Sequence, residues 1–317
     1  MDHHTLPRVV VIGGGTGMPV LLRGLKYLPI DLSAIVTVAD DGGSSGKLRD
    51  EMEIPAPGDI RNVIAALSEA EPMLLDLFQH RFKEGNGLSG HSMGNLLLAA
   101  LASMRGDFHH GIKEISRVLN VKGEILPIAN HSMNLHAVME DGSIVTGESN
   151  IPKANKRIKR VYLSPNPVQP LPEAIQAINQ ADLVVVAPGS LYTSILPNII
   201  IPEIGEALRH TRAKVTYVCN VMTQAGETAG YTAGDHVQAL HEHIGKGTIH
   251  SVIVHNLPID QTMRRIYAEE NSEPVLYDIE RVQKMGIEII EGDIIDPTKT
   301  MLRHDTDKIA KLLYSLI

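Results

Sequence analysis

The segment RVVVIGGGTGMPVLLRGLKYL, residues 8–28, constrains the chain more than any other. Four consecutive β-branched residues form a strand with no polar face, so both of its sides must be covered. The strand runs without a spacer into Gly13, Gly14, Gly15, Thr16 and Gly17, then into a helix whose inner face carries Leu21, Leu22 and Leu25. A strand that turns directly into a helix opens a βαβ unit, and the same alternation recurs along the chain. Core strands are expected at 8–12, 33–39, 182–187, 214–219 and 250–255, several ending in Gly, Asn or Asp. The fold class is therefore α/β, a mainly parallel sheet with helices on both faces.

Between the second and third of these strands the pattern changes. Helical stretches near 59–80, 92–104 and 109–120 precede short strand-like pieces around 124–128, 133–139, 143–146 and 157–163, and the Pro-rich SPNPVQPLP leads back to the main pattern. Residues 59–165 are read as an inserted helical and β cap subregion within one α/β domain spanning 1–317. The final DTDKIAKLLYSLI reads as an amphipathic helix capped by Asp305 or Thr306.

Composition limits the function classes. With 317 residues and 43% apolar content the chain can bury a large core. Its net charge of −8, from 37 acidic and 29 basic residues, argues against nucleic acid as a partner. The apolar runs are strand-sized and MDHHTLPR lacks the apolar core of a signal peptide, so a cytoplasmic protein without a membrane span is expected. The single cysteine, Cys219 in KVTYVCN, fits a reducing compartment and reads as a buried strand residue.

Four stretches carry the chemistry. The GGGTG turn offers backbone N–H groups and a helix N-terminus suited to phosphate, against the alternative of a tight turn needing no ligand. Gly13 and Gly15 fit the dinucleotide fingerprint, but Met18 stands where its third glycine belongs, so an NAD-dependent oxidoreductase is disfavoured. VADDGGSSGKLRDEMEIPAPGDIRN follows the second strand and should face the same crevice. There Asp40 and Asp41 could bind a sugar hydroxyl, hold hydrated Mg2+ against a diphosphate, or cap turns around Gly42. Ser44 and Ser45 add short donors, Asp59 is read as the N-cap of a helix or as a ligand contact, and Arg61 or Asn62 turns to the site. In GLSGHSMGNLLLAAL, His91 and Asn95 are expected on one helical face, with Leu96, Leu97 and Leu101 on the core side. In LVVVAPGSLYTSI, Gly189, Ser190, Thr193 and Ser194 suggest a second nest for phosphate oxygens, with loop stabilisation as the alternative. Asn220, Thr223 and Glu227 could close the pocket, whereas His236 and His241 are expected on a helix exterior, without a third zinc ligand. Asp40, Asp41 and Asp59 are the candidate metal ligands, with Mg2+ required only if the protein transfers a group.

GGGTG, ADDGGSSG, GDIRN, SGHSMGN, APGSLYTSI and VCNVMTQAGETAGYTAGDHV, in this order, resemble the CofD-like family, and more closely its bacterial gluconeogenesis factor (YvcK-like) branch. The resemblance spans nearly the whole chain and implies a Rossmann-like three-layer α/β/α fold with an inserted part. For the transferase branch it implies phospholactyl transfer from a nucleotide-linked donor to a deazaflavin. For the bacterial branch it implies binding of UDP-N-acetylglucosamine, support of cell shape and growth on gluconeogenic carbon sources, and no established reaction. Ligand contacts of that branch map to Thr16, Tyr267 and Arg303, and Thr306 falls where related proteins are phosphorylated by a Ser/Thr kinase. APGSLYTSI departs from the asparagine-containing loop of the transferases, and aromatic content is 3%, so a deazaflavin is not expected. The expectation is a cytoplasmic nucleotide-sugar-binding regulator that binds without catalysis and could form a homo-oligomer. The alternative is a Mg-dependent phospholactyl-type transferase.

Overall fold

A computed structural model describes residues 6–296, 302 and 304–317. Ten strands are present: β1 (Arg8–Gly13), β2 (Asp31–Val36), β3 (Glu124–Pro127), β4 (Asn134–Met139), β5 (Ile144–Thr146), β6 (Ile158–Ser164), β7 (Leu183–Val186), β8 (Lys214–Val218), β9 (Ser251–His255) and β10 (Glu288–Gly292). Seven form one sheet in the order β10-β9-β8-β7-β1-β2-β3, with every neighbouring pair parallel. The fold is the expected Rossmann-like α/β arrangement with helices on both sides of the sheet.

Strand β1 lies inside the sheet, between β7 and β2, because its four β-branched residues have no polar side to offer water. Val9, Val10, Val11 and Ile12 are all buried. The chain builds outward from β1 through β2 to β3, then returns to the other flank of β1 with β7 and continues through β8 and β9 to β10. Connections therefore leave β1 and β7 in opposite directions, which opens a crevice between their carboxyl ends, the usual place for a ligand in such sheets.

Six helices fill the first half: α1 (Gly17–Leu25), α2 (Gly43–Met52), α3 (Gly58–Leu67), α4 (Pro72–Gln79), α5 (Met93–Arg105) and α6 (Phe108–Val118). Leu21, Leu22 and Leu25 of α1 are buried as expected, each worth about 2 kcal/mol of apolar transfer. The closing helix Thr306–Tyr314 packs along α1, with Gly24 seated against the Thr306 carbonyl. Asp305 is its N-cap, accepting from the N–H groups of Asp307 and Lys308.

Several local expectations are corrected. The piece at 124–128 supplies β3 of the main sheet, because its buried Ile125 and Leu126 complete the parallel ladder beside β2. The remaining pieces of that region form an antiparallel sheet, β5-β4-β6. Strand β10 carried too little apolar signal to be anticipated, since an edge strand reading EIIEG covers only part of its surface. His236 and His241 are buried on the inner side of the helix Ala233–Ile244; the His236 ring meets Tyr231 edge-on and its Nδ1 bonds to the Thr232 carbonyl. In α5 the core side is Leu98, Ala99 and Ala102, with Leu96, Leu97 and Leu101 only half-buried. Among the described residues no helix is long and apolar enough to cross a membrane.

Candidate functional site

The turn after β1 is wedged between two other strand ends. A side chain at Gly14 would place its Cβ 2.4 Å from Thr37 Cγ2, and one at Gly17 would place it 2.2 Å from the Pro188 carbonyl oxygen. Gly15 has φ of +64°, a conformation that favours glycine. The glycines thus answer two demands, close approach of three loops and one left-handed turn. Thr16 is the N-cap of α1, yet its side chain bonds to none of the first-turn amides and stands exposed in the crevice. Those amides have no intrahelical acceptor, so the positive end of α1 opens onto the crevice.

Asp59 is not the N-cap of α3; Pro57 holds that position. Asp59 instead reaches across to accept the Gly15 N–H at 2.9 Å, occupying an amide that a phosphate would otherwise use. Its carboxyl is pushed up to about 6, first by burial and then by Asp40, against the pull of the Gly15 N–H and Arg61. Asp40 accepts the Gly42 N–H at 2.8 Å, closing a turn before α2, while its other oxygen and Ser45 Oγ meet over Gly58. Asp41 accepts the Ser149 N–H at 2.8 Å, so it ties the turn after β5 to the crevice.

Glu148 sits in that turn and had no signal in its local sequence, because only the folding back of β4 and β5 brings it here. Its carboxyl is pushed up to about 8, chiefly by burial and then by Asp40, Asp59, Asp41 and Glu227. Among the described residues no three Asp, Glu, His or Cys side chains are arranged to hold a metal by themselves.

Ser44, Ser45, His91 and Asn95 do come together, but not as a helical face turned to a ligand. His91 precedes α5, whose N-cap is Ser92. Ser44 Oγ lies 3.0 Å from His91 Nδ1 and accepts from Asn95 Nδ2 at 3.1 Å. This buried set fastens the first turn of α2 to α5 and consumes Ser44's hydrogen-bonding capacity internally. The Asn62 carbonyl is likewise taken by Arg61 at 2.8 Å.

Across the crevice, Asn220 clamps the Gly189 peptide from both ends. Its Nδ2 donates to the Gly189 carbonyl at 2.6 Å and its Oδ1 accepts the Gly189 N–H at 3.0 Å. Ser190 accepts from Gln224 at 2.7 Å. Thr193 turns inward and donates to Glu227 at 2.9 Å, and Glu227 also accepts the Tyr192 N–H. Burial pushes the Glu227 carboxyl up to about 7, against these two donors. Residues Leu191–Ile195 form one π-helical turn, a form frequent at functional sites. Buried Asn198, which sequence reading missed, joins that turn to the Gly13 carbonyl at 3.1 Å.

A cavity of about 410 Å³ lies on the Asn220 side of the α1 start, lined by Thr16, Gly17, Gly189, Asn220, Thr223 and Tyr267 among others, while Asp40, Asp41, Asp59 and Glu148 lie outside its lining. Tyr267 is on the helix Gln261–Glu269, which buries none of its residues. It packs on a small apolar cluster of Val221, Met222 and Ile295 and donates its hydroxyl to the Leu302 carbonyl at 3.3 Å. Arg264, on the same helix, lines a neighbouring cavity of about 310 Å³. Arg303 lies outside the described residues. Cys219 is buried and its thiol is pushed up to about 12 by burial, so it is no nucleophile.

Residues 9–295 match the family described as 2-phospho-L-lactate transferase CofD. A curated gluconeogenesis factor of Bacillus subtilis (strain 168) is 56% identical over 311 residues, covering 98% of each chain. The gluconeogenesis factor of Halalkalibacterium halodurans is 55% identical over 305 residues, covering 96% of this chain and 95% of that one. The crystal structure of a protein from Bacillus halodurans, 55% identical, superposes with a TM-score of 0.96 over 98% of this chain and all of that one.

Proposed function

The chain belongs to the CofD family and, within it, to the gluconeogenesis-factor branch, and from that premise we propose that it is a gluconeogenesis factor whose crevice binds a nucleotide-sugar, UDP-N-acetylglucosamine. The observation that carries this reading is the cavity of about 410 Å³ at the β1/β7 switch point, a volume ordinary for a small-molecule site. The open end of α1 suits a diphosphate, the Tyr267 ring suits a pyrimidine, and the carboxylates beyond Gly15 can accept bonds from sugar hydroxyls. Arg303, a ligand contact by resemblance, is flanked in sequence by two lining residues, Leu302 and His304.

In this reading occupancy, not turnover, is the output: a cytoplasmic regulator couples nucleotide-sugar supply to growth on gluconeogenic carbon and to cell shape. A Ser/Thr kinase acting at Thr306 would add a second input. Thr306 opens the last helix, where a phosphate suits the helix dipole but meets Asp305 and Asp307. Titration calorimetry with UDP-N-acetylglucosamine, UDP, GMP and NAD, each with and without Mg2+, tests the assignment. UDP-N-acetylglucosamine should bind saturably and most tightly; preference for NAD or GMP, or no binding by any, removes it.

Asp40, Asp59 and Glu148 beside the cradle favour a second reading, Mg-dependent phospholactyl-type transfer. Mg2+ commonly keeps several waters and uses one or two carboxylates together with phosphate oxygens. Asp40 and Asp59 would hold it, and bound there it would supply neutralisation of phosphate charge. Asp41 is held in the same manner as Asp40, one oxygen accepting the Ser149 N–H and the other packing on Gly147. Steady nucleotide release from a nucleotide-linked donor, lost in Asp40→Asn, would replace the regulator by the transferase.

A further inference from the structure

Lys153, Lys156, Arg157, Lys159 and Arg160 fall within eight consecutive residues of a chain whose net charge is −8. All five are exposed, and of these Lys156 alone has a carboxylate partner among the described residues, Asp141 at 2.7 Å. Glu140, whose N–H bonds to the Arg157 carbonyl, is exposed on the same rim, so cations there outnumber carboxylates.

This stretch runs into β6, and the antiparallel sheet turns one face outward. Pairing sets Arg160 beside Val138 with Ile144 beyond it, and Tyr162 beside His136 with Thr146 beyond it. Ile144 is 60% exposed and Tyr162 38%. The His136 ring stacks on Tyr162 at 4.8 Å, and its nitrogens bond to Thr146 Oγ1 and Ser164 Oγ, which fixes it as part of the surface. Leu135, Ala137, Val161 and Leu163 fill the opposite face and belong to the core. An apolar and aromatic centre flanked by arginine, with unpaired cations around it, is the composition of a recognition surface.

We propose that this face docks an acidic segment of another protein, whose carboxylates meet Lys153, Arg157, Lys159 and Arg160 while an apolar side chain lies on Ile144 and Tyr162. A nucleic acid fits less well. The net negative charge repels a long polyanion beyond the local patch, and Tyr162 has one ring face already covered by His136, whereas single strands use successive open rings. The sheet is also continuous with the crevice: the turn after β5 carries the Ser149 N–H held by Asp41, and the Pro152 carbonyl packs on Gly226, next to Glu227. The docking surface stands whatever the crevice binds.

Fluorescence anisotropy on the full chain tests it, using a short labelled peptide of alternating Glu and Leu or Phe, its Gln-substituted counterpart, an oligo-dT strand and phosphatidylglycerol vesicles. The acidic peptide should bind, and the exposed double substitution K159E/R160E should weaken it by about tenfold or more with the thermal midpoint unchanged. I144S/Y162A should weaken it several-fold, and hydrogen exchange of Ile158–Ser164 should slow when peptide is bound. Equal binding of the neutral peptide, full affinity in K159E/R160E, or tighter binding of oligo-dT or vesicles through these residues would overturn the proposal.

Discussion

The two sides of the crevice differ in chemistry. The β1/β7 side presents the amides at the start of α1 and the exposed Thr16, beside a Gly189 peptide whose N–H and carbonyl Asn220 takes, with Glu227 behind and Glu270 at the cavity lining. On the β2 side stand Asp40, Asp59 and Glu148, and the last two hold protons well above the ordinary carboxylate range. A phosphate is attracted to the first side and repelled by the second unless a cation or protons intervene. Under the proposed reading the contrast would give a nucleotide-sugar a direction, with the diphosphate toward α1 and hydroxyl-bearing groups toward the carboxylates.

The largest break should come from Gly17→Ala. A methyl group there meets the Pro188 carbonyl, which is backbone and cannot swing aside, so β1 and β7 turns must separate. A loss of about 3 kcal/mol in urea unfolding is expected, together with loss of nucleotide-sugar binding. Unchanged stability would mean that the two turns are not packed as described.

Asn220→Ala attacks the donor side without a clash. It leaves both ends of the Gly189 peptide unpaired, at a cost of about 2 kcal/mol, and frees the loop that lines the cavity. Affinity for UDP-N-acetylglucosamine in calorimetry should fall about tenfold or more. Asp40→Asn on the other side should cost less affinity in the absence of Mg2+, because it removes a repulsion; an equal loss from both would erase the distinction between the sides.

The buried carboxylates of both sides are sharpened by pH. Glu148, Glu227 and Asp59 bind protons up to about 8, 7 and 6, whereas in the unfolded chain such groups release them near pH 4. Between these limits the three groups hold more protons in the folded state than in the unfolded one, so their contribution to stability falls as pH rises. These carboxylates therefore favour pH 6 over pH 8, whereas the buried or half-buried His109, His236, His241, His243, His255 and His304, whose pKa burial lowers, favour the higher pH, so the carboxylate contribution is read from variants. Glu148→Gln should recover about 1–2 kcal/mol at pH 8 and roughly half as much at pH 6 in urea titrations. A Glu148→Gln gain that does not grow from pH 6 to pH 8 would contradict the burial of this carboxylate.

The two sides also differed in how far they could be read from sequence. Strand β1, the glycine turn and the helix after it follow from apolar periodicity and small residues within one local stretch, so the central sheet and the crevice were legible. Asn220 was legible too, as a polar residue at a strand end. Glu148 was not, since its place depends on β5 folding back over Asp41, and neither were the buried His236 and His241, whose helix is covered on more sides than its sequence announces. The capping role expected of Asp59 was wrong, because its bond to Gly15 crosses 44 residues of sequence. Local pattern predicts elements and their ends; it does not predict which distant backbone amide a side chain will take.

The smallest expected effect concerns Tyr267, which belongs to neither wall. Its helix buries no residue and rests on the Val221, Met222 and Ile295 cluster, so it contributes little to global stability and is free to serve the ligand. Tyr267→Phe removes the long hydroxyl bond to Leu302 and should change affinity about twofold or less, whereas Tyr267→Ala removes the ring and should weaken UDP-N-acetylglucosamine about tenfold, with the urea midpoint of both near wild type. A ring that stacks on the base predicts this ordering in calorimetry with UDP as well. If Phe and Ala behave alike, the hydroxyl and not the ring is what the cavity uses, and the base must be sought on the Asn220 wall.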